Sequence, residues 1–314
     1  MTDRVSPRLQ RRCLSVVLCV GLLAGGCSLT PSVTDSPTTP PTTSNTAIPS
    51  GPRTVDGTGV PTAASAVKVL VDDSSLIERQ RGMEAIGPQT FFVSRSTITV
   101  NDYVNNRLVE FRQGKRLRSF KSPGLDCCED IRVEGSTYWL LAGDAVRSYT
   151  VVDSRLKRTL TRELAVNDST QWPMGKLSRE DDNLIATPAK GKPEIIVGPG
   201  PLPARPEFLL NKSSVEIHDG KFAIDLMTPG TPEDATLLAR NSTNSWYWVY
   251  VDSPRNWGYV YHLDAGGTIL ETYTLPRPGV VVPSRPLLVS DDGKLYQMNL
   301  TNRSARVLAI SPNR

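Results

Sequence analysis

The 314-residue chain is 39% hydrophobic and 22% charged, with a formal net charge of +4, and is long enough to bury a sizeable core. The basic excess sits at the start, where Arg4, Arg8, Arg11 and Arg12 face only Asp3, so the chain after Gly26 carries +1. A near-neutral body lacks the clustered Lys and Arg that a phosphate backbone demands, which argues against nucleic acid as a partner.

Leu14–Ala24 is an apolar run too short to span a bilayer comfortably, and it follows the four arginines directly. It ends in Leu22–Leu23–Ala24–Gly25–Gly26–Cys27, where two glycines give a peptidase an extended, unhindered backbone beside the Cys27 thiol. This stretch resembles the signal segment and lipobox of bacterial lipoproteins. The resemblance implies cleavage after Gly26, a diacylglyceryl group and a further acyl chain such as palmitate on Cys27, and a place on the extracytoplasmic face of the cell membrane. One acyl chain holds a protein only marginally, whereas two suffice. No later stretch approaches the roughly 18 apolar residues of a membrane span, so the lipid is expected to be the sole membrane contact.

Residues 27–66 are rich in Thr, Ser and Pro, as in Ser36–Pro37–Thr38–Thr39–Pro40–Pro41. With few apolar side chains to offset ordering entropy, this segment is predicted to be a disordered tether. From Val67 to Arg314 the texture changes to short β-rich runs separated by Gly, Asp, Asn and Pro. Leu76–Ala85 is the one stretch with helical spacing, and Gly82 interrupts it.

A turn of Asp, Asn or Gly leads into an alternating strand six times, with first apolar residues Leu108, Val146, Leu184, Phe222, Tyr259 and Leu295. Their spacings are 38, 38, 38, 37 and 36 residues. Four short strands per forty or so residues is the pattern of a propeller blade. The last unit, Asp292–Gly293–Lys294–Leu295–Tyr296, resembles blades of quinoprotein-like propellers. The prediction is therefore an all-β chain folded as a β-propeller of six blades, with seven as the alternative, and Val67–Val71 as an outer strand of the last blade. A β-sandwich is the competing fold, but it would not repeat at this period.

Of five cysteines, Cys13 and Cys19 leave with the leader and Cys27 takes lipid, so Cys127 and Cys128 remain in an oxidising compartment. They can bond to each other, bond to another protein or stay free. Some quinoprotein alcohol dehydrogenases carry a bonded adjacent pair beside their cofactor. That resemblance implies a stiffened ligand-face loop, with a plain loop staple as the competing role. The acidic pairs Asp72–Asp73, Asp181–Asp182 and Asp291–Asp292 precede strands and are explained by turn chemistry. His218 and His262 are the only histidines and have no metal-ligand spacing, and no phosphate loop is present.

Arg112–Gln113–Gly114–Lys115–Arg116–Leu117–Arg118 is the one basic cluster, read as a solvated hairpin around a glycine turn. Ser245–Trp246–Tyr247–Trp248–Val249–Tyr250 places Trp246, Trp248 and Tyr250 on one strand face, with Trp257, Tyr259 and Tyr261 across the hairpin. These aromatics pack blades together, or Trp246, Trp248 and Trp257 form a carbohydrate or peptide platform. With no catalytic constellation, metal site or cofactor expected, the functional expectation is a non-enzymatic, lipid-anchored, monomeric propeller. It would bind a protein, peptide or envelope polymer, like the propeller lipoproteins that scaffold envelope assembly. The alternative is a propeller enzyme, either a quinone-dependent oxidoreductase or a lyase or hydrolase.

Overall fold

The computed structural model describes residues 53–54, 65–78, 86–121, 128–165, 175–188, 192–220, 222–251, 256–279 and 282–313. The chain divides into units Met1–Pro49 and Ser50–Arg314, and the described residues belong to the second. The leader, Cys27, most of the Thr/Ser/Pro segment, Cys127 and the Cys128 side chain lie outside them, as do residues 79–85 of the one stretch with helical spacing.

The regular structure among the described residues is all strand, apart from one 3-10 turn at Ser74–Leu76. Among the described residues no helix is long and apolar enough to cross a membrane. Two strands precede the repeats: β1 (Arg53–Thr54) and β2 (Val67–Asp73). The first sheet is the meander β3 (Phe91–Ser94), β4 (Thr97–Asp102), β5 (Arg107–Arg112) and β6 (Lys115–Lys121). The second is β7 (Cys128–Glu134), β8 (Thr137–Ala142), β9 (Ala145–Val152) and β10 (Arg155–Glu163). The third has only β11 (Lys176–Glu180), β12 (Asn183–Thr187) and β13 (Glu194–Val197). The fourth is β14 (Glu207–Leu210), β15 (Ser214–His218) and β16 (Ala223–Met227), extended by β1. The fifth is β17 (Asp234–Arg240), β18 (Asn244–Tyr250), β19 (Asn256–Asp264) and β20 (Ile269–Pro276). The sixth is β21 (Leu287–Val289), β22 (Leu295–Leu300) and β23 (Ala305–Ile310), extended by β2.

Within each meander the pairing is antiparallel, and the tight turns suit it: Asp153 and Ser154 are both left-handed, as a two-residue hairpin with right-twisted strands requires. β2 pairs antiparallel with β23, from Val67 opposite Ile310 to Asp73 opposite Ala305, so the last sheet takes its outer strand from the start of the repeats. β1 pairs parallel with β16 at Ile224 and Asp225, although it falls within the segment whose composition predicts no order. Ladder hydrogen bonds to a sheet edge use backbone alone, so low apolar content does not forbid them. Consecutive meanders of this kind, with their first strands brought together, make a propeller-type architecture. Those first strands neighbour one another in the order β3, β7, β11, β17 and β21, with β21 beside β3. β14 instead lies beside β17 and keeps Leu209 and Leu210 exposed.

The sheets are joined by apolar layers at every junction but one. One cluster runs through the sixth, first and second sheets and includes Phe91, Phe92, Leu108, Ile131, Leu140 and Met298. The second and third share Leu141, Val146, Leu177, Leu184 and Ile196. The fourth and fifth share Ile217, Leu226, Tyr247, Val249 and Tyr261, and the fifth and sixth share Trp246, Val260, Tyr273, Leu287 and Ile310. Complete burial of such side chains stabilises by about 1.5–3 kcal/mol each. Where the third sheet meets the fourth and fifth, the described residues form no such layer. Strand alternation turns Leu177 toward the second sheet and Lys176, Ser178 and Glu180 the other way. There Glu180 meets Arg205 at 2.7 Å and Arg240 at 3.6 Å, Arg240 meets Asp219 at 2.7 Å, and the Lys176 ammonium donates to the Leu237 carbonyl at 2.7 Å. This seam is polar.

The aromatic strand β18 feeds both of its neighbours, with Tyr247 and Val249 in the fourth–fifth layer and Trp246, Trp248 and Tyr250 in the fifth–sixth layer. Across the hairpin the sequence predicts Trp257 on the side of Tyr259 and Tyr261, yet Trp257 packs with Val260. The cause is a bulge between Asn256 and Tyr259, where Gly258 adopts φ +122° and the Val249 carbonyl would lie 2.3 Å from an added Cβ. Only glycine fits that conformation and that contact. Gly258→Ala is expected to cost about 2 kcal/mol or more, read as a lower urea midpoint at unchanged m.

Candidate functional site

The turns between first and second strands of five sheets surround one basin of about 1190 Å³. The first sheet contributes Arg95 and Ser96, the second Glu134 and Gly135, the third Asp181, the fifth Arg240 and Asn241, and the sixth Ser290, Asp291 and Asp292. The fourth sheet contributes nothing, in keeping with the position of β14. Seven arginines line the basin (Arg95, Arg112, Arg118, Arg132, Arg179, Arg240 and Arg285) against five carboxylates.

Most of these charges are paired. Arg132, over the face of Phe92 at 5.2 Å, bridges Glu134 at 2.8 Å and Asp291 at 2.6 Å, tying the second sheet to the sixth. Arg179 reaches the same Glu134 at 3.2 Å from the third sheet. Arg118 meets Glu110 at 2.6 Å, and the Tyr138 hydroxyl donates to the other oxygen of that carboxylate. Burial, then the Glu110 bond, pushes the Tyr138 phenol well above its ordinary range. The Glu110 bond in turn raises the Arg118 guanidinium. Asp292 is held by Lys294 at 2.6 Å, whose hydrogen bond lowers its carboxyl.

Beneath the basin, fully buried Asp130 joins four sheets. Its Oδ1 accepts from Thr90 Oγ1 at 2.9 Å and from the Ile131 amide, while Oδ2 accepts from the Leu177 amide at 2.6 Å and from Arg285. Charged partners held by buried hydrogen bonds cannot swing freely, so the floor of the basin is preorganised.

Trp246 lines the basin and stacks on His262, with centroids 4.3 Å apart and planes 9° from parallel. His262 also contacts Glu271 and Asn244, each at 3.0 Å. Trp248 and Trp257 pack on each other at 4.8 Å within the fifth–sixth layer, and Trp257 is buried. Of the three tryptophans, the geometry therefore brings only Trp246 to the basin. His218 is the last residue of β15, an interior strand of the fourth sheet, and lies against Glu216 at 2.8 Å. Cys127 and the Cys128 side chain, proposed as a bonded pair, lie outside the described residues. Among the described residues no three His, Cys, Asp or Glu side chains come together as a metal site.

The Arg112–Arg118 cluster does form a hairpin, β5–β6, turning at Gln113 and Gly114. Arg116 pairs with Asp73 at 2.8 Å, but Arg112 and Arg118 face the basin. Arg95, Arg132, Arg179, Arg240 and Arg285 are not singled out by the sequence reading. The usable signal is position: Arg132, Arg179 and Arg240 each stand near the end of a first strand, one to three residues before its turn.

No protein-family model matches the chain, and no curated protein does. Among solved structures, a Myxococcus xanthus glutaminyl cyclase is 9% identical over 80% of this chain and 97% of its own, with a TM-score of 0.40. A streptogramin B lyase is 13% identical over 79% and 98%, at 0.37, and a luciferin-regenerating enzyme 11% identical over 79% and 95%, at 0.36. Likeness at this level carries no information about substrate or activity.

Proposed function

We propose that the chain is a lipid-anchored, extracytoplasmic binding protein built on a six-bladed propeller, and that it takes a protein, peptide or envelope-polymer segment in the basin. Six separate sheets support the blade count, with the outer strand of the last supplied by β2. The observation that carries the binding role is the basin itself. It exceeds the usual small-molecule pocket of roughly 300–1,000 Å³ and is walled by charges fixed in one another's grip. The lipobox resemblance at Cys27 supports the anchor, and the Thr/Ser/Pro segment supplies reach.

The test is photo-crosslinking in native membranes. A crosslinker at Ser96, exposed on the basin rim, is expected to capture a discrete partner, and one at Lys157, exposed on β10, is not. Equal capture at both positions would remove the basin from the account. Cys27→Ala is expected to release the chain from membranes or leave an unprocessed precursor, seen by detergent phase partition. A processed variant that stays membrane-bound would end the anchor reading.

A second reading, a lyase or hydrolase, draws on one observation: Glu110, Tyr138 and Arg118 form a hydrogen-bonded acid–phenol–guanidinium group in the basin. Turnover of an envelope polymer that disappears in Tyr138→Phe while capture at Ser96 persists would favour it.

A further inference from the structure

We infer that the occupant of the basin is anionic, carrying two or more carboxylate or phosphate groups, and that Arg95 and Arg112 of the first sheet grip it. This rests on the binding reading above and adds the chemical class of the ligand.

Pairing decides which charges are available. Arg118, Arg132, Arg179, Arg240 and Arg285 each already hold a carboxylate: Glu110, Glu134 with Asp291, Glu134, Asp219 and Asp130 in turn. Arg95 and Arg112 hold none among the described residues. The Arg112 guanidinium reaches only the Thr97 hydroxyl, at 3.4 Å, across the β4–β5 ladder that sets them opposite each other. Of the acids, Asp292 is taken by Lys294, which leaves Asp181 as the lining carboxylate without an ion pair among the described residues. Asp181 belongs to the third sheet. The first-sheet side of the basin therefore presents two uncommitted guanidinium groups, with the hydroxyls of Ser94, Ser96 and Thr97 around them. Guanidinium pairs favour planar, multiply charged oxyanions over neutral ligands, because both oxygens of a carboxylate or phosphate can be bound at once.

The backbone at Arg95 fixes where its guanidinium stands and supplies a variant that spares the fold. Arg95 occupies the first position of its turn at φ +53°, and the matching position in the second sheet is Gly135 at φ +61°. A glycine suits that conformation, whereas an arginine there is strained. The turn sets this guanidinium on the basin rim, as the matching left-handed turn of the third sheet sets Asp181 at φ +51°.

The experiment measures binding of citrate, pyrophosphate and neutral maltotriose to the full chain in detergent by calorimetry, at two salt concentrations. Citrate or pyrophosphate is expected to bind, more weakly at higher salt, and maltotriose is not. Arg95→Gly and Arg112→Gln are each expected to weaken anion binding about fivefold to tenfold, with the Tm of Arg95→Gly unchanged or raised, which separates the loss from misfolding. Lys157→Gln on the outer strand should leave binding unchanged. Binding of citrate alone assigns carboxylates, binding of pyrophosphate alone assigns phosphates, and both uphold the shared chemistry. Failure of both anions, or full binding by the two arginine variants, overturns the inference. If the anions fail while Ser96 still captures its partner, the binding reading survives. If both fail, neither stands.

Discussion

Asp130→Ala is expected to be severely destabilising, costing about 3–5 kcal/mol of unfolding free energy. The carboxylate is fully buried, and one side chain satisfies a hydroxyl from just before β3, two amides in β7 and β11, and a guanidinium from just before β21. Removing it leaves the Leu177 amide without its partner and the mostly buried Arg285 charge without its carboxylate, and buried groups left unpaired carry a desolvation penalty. Asp130→Asn keeps the volume and part of the hydrogen bonding, so it should fall between wild type and Ala. Urea unfolding of the three proteins gives the order directly. An alanine variant within 1 kcal/mol of wild type would show that the four sheets are held by their apolar layers alone.

Stability is expected to rise with pH between about 7 and 9.5, and Lys176 is the cause. Burial, reinforced by Arg285 and Arg205 and opposed by Glu180 and Asp130, pulls its ammonium from an ordinary 10.5 down to about 7. Between those values the unfolded chain binds a proton that the folded chain does not, so raising the pH favours folding, by up to about 1.4 kcal/mol per unit. The gain stops near pH 10. There the phenols of Tyr138, Tyr247, Tyr261 and Tyr273, all raised by burial, keep protons in the fold that the unfolded chain releases, and the sign reverses. Lys176→Met retains the stem and removes the charge, and should flatten the slope from pH 7 to 9.5. If the slope survives in that variant, the polar seam where the third sheet meets the fourth and fifth is wetter than its geometry implies.

The repeat is legible because each unit is punctuated by turn residues that strands cannot easily do without. Each sheet holds one of the six first apolar residues. Leu108, Val146, Phe222 and Tyr259 lie on or just before third strands and Leu184 and Leu295 on second strands, so the near-constant spacing does not mark equivalent positions. The unequal role of the fourth sheet is not legible. Glu207–Phe208–Leu209–Leu210 reads like any other first strand, and only the contacts of its neighbours set it beside β17 and away from the basin. The side chosen by Trp257 depends on a single bulge at Gly258, which period-two reading cannot register. The basin was hidden for a different reason. Its arginines are scattered over five sheets, and each looks like an ordinary solvated charge until the turns converge. Even the visible cluster divides, with Arg112 and Arg118 lining the basin and Arg116 tied to Asp73.

The union of β2 with β23 has a consequence for the order of assembly. Arg306 and Asp72 meet at 3.0 Å although 234 positions separate them, and the last sheet needs strands from both ends of the repeat region. A chain synthesised from its N-terminus has nothing for β2 to join until Ala305–Ile310 has also emerged. Final assembly of the last sheet therefore waits for the end of the repeat region, and the loop that must close is long, which makes the step slow. During that interval Val67 and Val69, exposed even in the finished fold, sit on an unmated strand edge open to wrong pairing.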